Sequence, residues 1–415
     1  MVERPYKRRL ADDRLAELLK DFPAVLINGP RASGKTTTAR QQAADTVRLD
    51  REAEAVAFRA DPDAALKFRK EPLLLDEWQE VPEVLGAIKR AVDDDPRPGR
   101  FILTGSVRAE LETKMWPGTG RLIRMNMHGL TEAEIRGSIG PARRGFLERL
   151  QEADPALFPH VGSRPTLPDY VDLAVRGGFP EVALTGLSPK AAHAWLDSYL
   201  ADLIARDLHP DPRRDSDKMR RYFEALALST AGIPRDVTLS TAAGITVKTA
   251  EVYDHLFESL FITEKVPAWS NNKLTTLIKA PKRYVVDPGL ATSAAGLTRE
   301  SILTNSDLLG RILDTFATAQ LRPEMGLMIR ARFYHLRTKG GREEVDLIVE
   351  LADGKILAVE FKASAAPSTA DAKHLAWFRD LLGSRFLAGA VLHTGPEAFK
   401  LGDRLLAVPL CAIWE

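Results

Sequence analysis

Twelve residues near the amino end, GPRASGKTTTAR (29–40), restrict this chain more than any other stretch of it. An apolar run, AVLI (24–27), comes directly before, and TTTARQQAA reads onward as a helix. A short strand that runs through a glycine-containing turn into a helix is the opening of an α/β sheet domain. The glycines let the backbone curl until successive amides point at one place, which suits an anion.

The residue types fit that reading one by one. Gly29, Pro30, Arg31, Ala32, Ser33, Gly34, Lys35 and Thr36 match G-x-x-x-x-G-K-[ST] without a mismatch, and Thr37 continues into the helix. In this pattern Lys35 reaches the β- and γ-phosphates of ATP, and the Thr36 hydroxyl is a ligand for magnesium. Further on, LLLDE (73–77) is an apolar strand ending in two carboxylates. Asp76 is placed to hold the magnesium and Glu77 to orient and deprotonate the attacking water. FILTGS follows, with Thr104 and Ser106 at a strand tip as candidate sensors of the γ-phosphate; an ordinary polar strand end explains them as well. Charge that develops on a transferring phosphoryl group calls for an arginine. Arg108 and Arg121 are the candidates, in cis or toward a neighbouring subunit's nucleotide, and a surface role fits either one alone.

At 415 residues, two or three domains are expected. Five strands, 24–27, 46–50, 73–77, 100–106 and 122–127, make a first, parallel-sheet domain over 1–137. A mostly helical middle, 138–303, opens on the Pro/Gly/Arg-rich GSIGPARRG. Within it LSTAAGITVKTAEVYDHLFESLFI (239–262) reads as helix, turn and helix, and a turn-rich ribbon follows at 266–287, the order of a winged helix. The last part, 304–415, reads as a helix (306–322), three strands, a helix (371–382) and a strand, with a hairpin turn at Asp353-Gly354.

Formal net charge is +1, so any nucleic-acid surface must be a local patch. Lys248 on the second helix, and Lys273, Lys279, Lys282 and Arg283 on the ribbon, are the candidate phosphate contacts; Thr249 and Tyr253 join Lys248 on the helix's early face. Winged helices also serve as plain packing modules. The eight histidines show no zinc spacing, and the one cysteine, Cys411, sits in an apolar tail as a buried thiol. The amino end lacks a signal-peptide core and no run is long enough to span a membrane, so a cytoplasmic protein is expected.

GPRASGKTT, LLLDEWQEV, FILTGSVR, GTGRL, RGGFPEVAL, KAPKRYVVDPGL and EEVDLIVE…AVEFK occur in that order. The chain resembles the family of prokaryotic AAA-type ATPases that carry a C-terminal domain of unknown function. That resemblance implies an AAA+-like ATPase core, a winged-helix element, a terminal domain like a restriction endonuclease, and a ring or lower homo-oligomer. The family's helix before the terminal strands usually carries Glu; Asp314 stands there in LLGRILDTF. The terminal strands supply Asp346 and Glu360-Phe-Lys362, a D…(D/E)-x-K pattern of magnesium-dependent nucleases, and a surface ion pair gives the same pattern. Two functions from different classes follow. One is an ATPase that acts on DNA with a metal-dependent nuclease domain. The other is a nucleotide-switched protein whose terminal domain is a non-cleaving docking platform.

Overall fold

The computed structural model describes residues 5–105, 120–140, 143–159, 164–208, 215–271, 279–328 and 330–415. The chain forms two compact units, Met1–Leu130 with Ser259–Phe261, and Thr131–Glu258 with Ile262–Glu415.

The first unit is built on five parallel strands, β1 (Ala24–Asn28), β2 (Asp45–Arg48), β3 (Leu73–Asp76), β4 (Phe101–Thr104) and β5 (Leu122–Asn126), in the order β2-β3-β4-β1-β5. β1, β3 and β4 are buried along their whole length. Side chains alternate across a strand, so each strand feeds two cores. Ala24, Leu26, Leu73, Leu75, Phe101 and Leu103 face one of them, with Phe58 and Ile88 from the helices Glu52–Ala60 and Val84–Asp94. Val25, Ile27, Leu74 and Ile102 face the other, under Leu15 and Leu18 of the helix Leu10–Asp21. The sheet is the α/β parallel sheet expected from the apolar runs, with strand ends shifted by one or two residues.

The second unit joins the helical middle to a six-stranded mixed sheet. Its wing is the antiparallel pair β6 (Thr263–Val266) and β7 (Lys282–Val285), which follows the helices Asp236–Ala243 and Val247–Ser259. The large sheet has β8 (Arg332–Arg337), β9 (Glu344–Glu350), β10 (Ile356–Phe361), β11 (Phe386–His393), β12 (Phe399–Gly402) and β13 (Leu405–Pro409), in the order β12-β13-β11-β10-β9-β8. Sequence reading missed β12 and β13, which are short and enter after the expected last strand. The long helix Ser306–Leu327 covers one face with Leu309, Ile312 and Phe316 against Leu347, Leu357 and Leu392. The helix Lys373–Leu382 covers the other with Leu375 and Phe378 against Ile348 and Ala358. One core runs from Ala133 through Tyr170 and Phe316 to Trp414, so the middle and terminal segments share their buried side chains.

Two family-like motifs meet inside this unit. Asp287 caps the helix Pro288–Ala294 through the Leu290 amide at 2.9 Å and also accepts from the Gly178 amide at 2.7 Å. A Cβ on Gly177 would stand 2.4 Å from Asp287 Oδ1, and one on Gly289 would stand 2.9 Å from the Arg176 carbonyl oxygen. RGGFPE and DPGL therefore clasp each other, and the glycines are there because two backbones approach.

Candidate functional site

At the carboxyl end of β1 the chain turns sharply at Gly29, whose φ is +149°. A Cβ at Gly29 would lie 2.0 Å from the Met127 carbonyl oxygen, so no other residue fits. Gly34, at φ +95°, aims the chain into the helix Lys35–Arg40. Ser33 is fully buried, and its hydroxyl donates to the Pro30 carbonyl at 2.8 Å, which knits the loop to itself. The Lys35 ammonium donates to the carbonyls of Gly29 and Pro30 at 2.9 and 2.8 Å. Burial pulls Lys35 down to about 8, with Arg31 adding to it and Glu77 and Asp76 opposing it. Arg31, Ala32 and Thr37 complete the loop and the first turn as expected.

Asp76 ends β3 with its carboxylate 2% exposed. Its Oδ1 accepts from the Thr36 hydroxyl at 2.7 Å and from the Thr104 hydroxyl at 2.6 Å. The register Asp76↔Thr104 between β3 and β4 sets the second bond. This set of hard oxygen donors fits a magnesium ion, with Thr36 and Asp76 already side by side. Glu77 follows at φ +55°, and the Gln79 amide donates to its carboxylate. That left-handed turn is costly for a side-chain-bearing residue and sets Glu77 off the strand line. Thr104, a candidate sensor of the γ-phosphate, is thus bonded to the Asp76 carboxylate at the strand tip.

Arg121 is placed otherwise than an arginine acting in cis requires. Ala24 pairs with Leu122 and Asn28 with Asn126, so Arg121 lies at the foot of the sheet while the loop lies at its top. Four strand steps are about 13 Å. Arg121 also pairs with Asp93 there. Ser106 and Arg108 lie outside the described residues, as does Lys273.

Sequence reasoning missed a strap over the loop. Arg9, 4% exposed, donates to the carbonyls of Ser33 at 3.0 Å, His128 at 2.7 Å and Gly129 at 3.1 Å. Tyr6 donates to Asp12 at 2.6 Å and to Thr38 at 3.2 Å. Nothing in MVERPYKRRL distinguishes Arg9 from its neighbours Arg8 and Lys7; only the fold singles it out.

The carboxylates of the second unit do converge. Leu347 pairs with Val359, so the next residues, Asp346 and Glu360, stand opposite each other, and the Phe361 amide donates to Asp346 at 3.1 Å. Lys362 donates to Glu360 at 3.1 Å. Asp314 reaches the same place from the helix Ser306–Leu327. They line a cleft of about 520 Å³ with Arg311, Arg337 and His374. Arg311 is paired with Asp307 and Arg337 with Glu344, and His374 Nδ1 lies 2.6 Å from Glu343 Oε2. Burial, then the charge of Asp346, push Glu360 up to about 8, against the pull of Lys362.

The basic ribbon needs correction. Lys282 and Arg283 are 3% and 9% exposed and face inward, so neither contacts a nucleic-acid phosphate. Arg283 pairs with Asp254 at 2.7 Å and with Asp236, tying the wing to both helices of the helix-turn-helix. Lys282 donates to Asp314 at 2.5 Å and to Asp346 at 3.3 Å. Burial works against its charge, but Asp314, Tyr284 and Asp346 hold its pKa well above the usual lysine range. With that ammonium between them, these carboxylates do not fit a divalent ion. Tyr253 is buried at 3% and donates no reading surface either. Lys248 and Lys279 are exposed. The described residues contain no helix long and apolar enough to cross a membrane.

Comparison with known proteins follows the same division. Residues 21–136 match a family model described as an AAA domain, 167–301 a domain of unknown function (DUF8612), and 309–413 another (DUF4143). Uncharacterized proteins of Mycobacterium bovis and Mycobacterium tuberculosis are each 28% identical over 409 residues, covering 97% of this chain and 83% of theirs. Among solved structures, a Walker-type ATPase of Pyrococcus abyssi aligns at 15% identity and TM-score 0.41, over 70% of this chain and 98% of its own. A DNA replication initiation factor aligns at 14% identity and TM-score 0.25, over 63% and 95%. Scores this low carry no argument about shared fold or function. The curled loop and the buried β3 carboxylate both lie within residues 21–136, the stretch that matches the AAA-domain model.

Proposed function

We propose that the chain binds ATP with magnesium and hydrolyses it at the loop Gly29–Thr36. The observation that carries this is the buried Asp76 carboxylate held between the Thr36 and Thr104 hydroxyls beside the curled loop. The loop amides receive the phosphate oxygens, and Lys35 leaves the Gly29 and Pro30 carbonyls to meet the β- and γ-phosphates. A triphosphate's charge draws the Lys35 proton affinity back up. Thr36 and Asp76 are the residues that hold magnesium, which neutralises charge on the phosphates when bound. Glu77, steadied by Gln79, orients a water and accepts its proton as the water oxygen bonds to the γ-phosphorus. The bond from that phosphorus to the β–γ bridging oxygen breaks, leaving ADP and inorganic phosphate. Arg9 keeps the loop in shape from behind through the Ser33 carbonyl. With Arg121 at the sheet's foot, Arg108 or an arginine from a second copy supplies the further positive charge.

For the second unit we favour the docking reading over cleavage, because the Lys282 ammonium already sits between Asp314 and Asp346, two of the carboxylates that a nuclease would give to metal. A DNA partner rests on the winged helix and on Lys248 and Lys279, a thin phosphate footprint. The test is retention and turnover of labelled ATP by wild type, Lys35→Ala and Glu77→Gln. Wild type turns ATP over, Lys35→Ala fails to retain it, and Glu77→Gln retains it without turnover. Equal behaviour of all three contradicts the proposal. Adding duplex or single-stranded DNA to the same assay tests the partner: stimulation supports it and indifference removes it.

A further inference from the structure

We infer that Lys282 is a built-in cation that takes the place of a divalent metal in the C-terminal carboxylate cluster. The cluster is then a clamp between the wing and the large sheet, and it works without metal. The inference does not depend on the nucleotide site.

The geometry around the ammonium carries the argument. Lys282 Nζ lies 2.5 Å from Asp314 Oδ2, 3.3 Å from Asp346 Oδ1 and 3.3 Å from the Asp346 carbonyl oxygen. An ammonium has three donors, and here three oxygens receive them. The two acidic residues it bridges come from different elements, the helix Ser306–Leu327 and β9, as the ligands of a shared ion do. The other oxygens of Asp314 and Asp346 also have donors, while Glu360 Oε2 is buried without a hydrogen-bond partner. Asp314 Oδ1 accepts from the Tyr284 hydroxyl at 3.0 Å and the Thr318 hydroxyl at 3.2 Å. Asp346 Oδ2 accepts from the Phe361 amide. Among the described residues no group of three or more histidine, cysteine or acidic side chains is arranged to hold a metal ion.

Lys282 is also fixed. Its side chain is 4% exposed, and its backbone pairs with Val266 across the wing. The next residue, Arg283, is anchored to Asp254 and Asp236 in the helix-turn-helix. Withdrawing the ammonium to admit an ion means dismantling the wing. A compact ammonium brings one positive charge where a hydrated divalent ion brings two, and it is no Lewis acid. Lys362 is left with Glu360 as its partner, in the position a nuclease lysine takes, yet without a metal beside it.

The experiment is manganese binding by nucleotide-free full-length protein, read by electron paramagnetic resonance, with thermal melting and plasmid nicking alongside. Wild type is expected to bind no manganese at a site sensitive to Glu360→Gln, to melt at the same temperature with and without the ion, and to leave plasmid intact. Lys282→Met is expected to melt lower and to recover several degrees when manganese is added. The double variant Lys282→Met/Asp314→Asn is expected to melt above Lys282→Met alone and to lose the manganese response, which keeps the test readable if the single variant folds poorly. A wild-type manganese site abolished by Glu360→Gln, or metal-dependent nicking by wild type that Lys282→Met removes, overturns the inference.

Discussion

Asp76 near Lys35 in the first unit, and Asp314 with Asp346 around Lys282 in the second, set carboxylate and lysine together in two different ways. Around Asp76 the neighbours are hydroxyls, Thr36 and Thr104, and the lysine, Lys35, is bonded to backbone carbonyls. Around Asp314 and Asp346 the neighbour is the lysine itself. The cation nearest Asp76 stands off, Arg48 Nε at 4.0 Å from Oδ2, whereas Asp314 holds the Lys282 ammonium in direct contact. The first arrangement is prepared for a metal–nucleotide pair, and the second is a finished structural joint.

The largest effects should come from the first site. Lys35→Ala should lower ATP turnover by about 10³-fold and Glu77→Gln by about 10²-fold or more, with nucleotide retained only in the second variant. Loss of activity without this split in binding would break the comparison on its catalytic side. The second site should answer in stability instead. Lys282→Met leaves the buried Asp314 carboxylate and the half-buried Asp346 carboxylate without their cation and should cost about 3 kcal/mol in denaturant unfolding. A change under about 1 kcal/mol would mean that the joint is not closed. Arg9→Ala removes three bonds to buried carbonyls and should cost about 2–3 kcal/mol while weakening ATP retention.

How far all this was readable in the sequence differs between the two sites. The P-loop side was legible because its chemistry is local: eight consecutive residues make the cradle and the apolar runs give the strands. The parallel order and the Asp76–Thr104 contact need the sheet register, yet the residue types pointed at them. Arg9 was not legible, since its three acceptors lie 24, 119 and 120 residues away. Lys282 and Arg283 misled for a related reason. A basic run in a ribbon looks like a phosphate surface until Asp314, Asp346, Asp254 and Asp236 are brought to it from four other segments. Glu360 and Lys362 were placed on one strand face correctly by alternation alone, whereas the cation between their neighbours was invisible to it.

A smaller, pH-dependent effect sharpens the contrast on the side of the second unit. Burial, and after it the charge of Lys282, hold His335 down at about 4; burial holds His393 down at about 4 as well. Both are depressed below their unfolded values, so the unfolded chain binds more protons in this range. Their contribution is full above about pH 6.5 and is lost as pH falls toward 4. At pH 5 each should have given up about 2 kcal/mol. Glu360, pushed up to about 8, and Asp314, pushed up to about 6, take up protons in the folded chain over the same interval and oppose this loss, so the net change in melting between pH 7 and 5 is small, and His335→Gln should shift it toward greater stability at pH 5. An unchanged slope would show that His335 titrates as a solvated histidine does.

The most direct measurement is the number of manganese ions bound per chain by the wild-type protein, with and without a non-hydrolysable ATP analogue. One ion bound with the analogue and none without it is the expected result, since among the described residues Asp76 and Thr36 are the pair placed beside the phosphate loop. An ion that binds equally well in the absence of nucleotide, and that Asp346→Asn rather than Asp76→Asn removes, would contradict it.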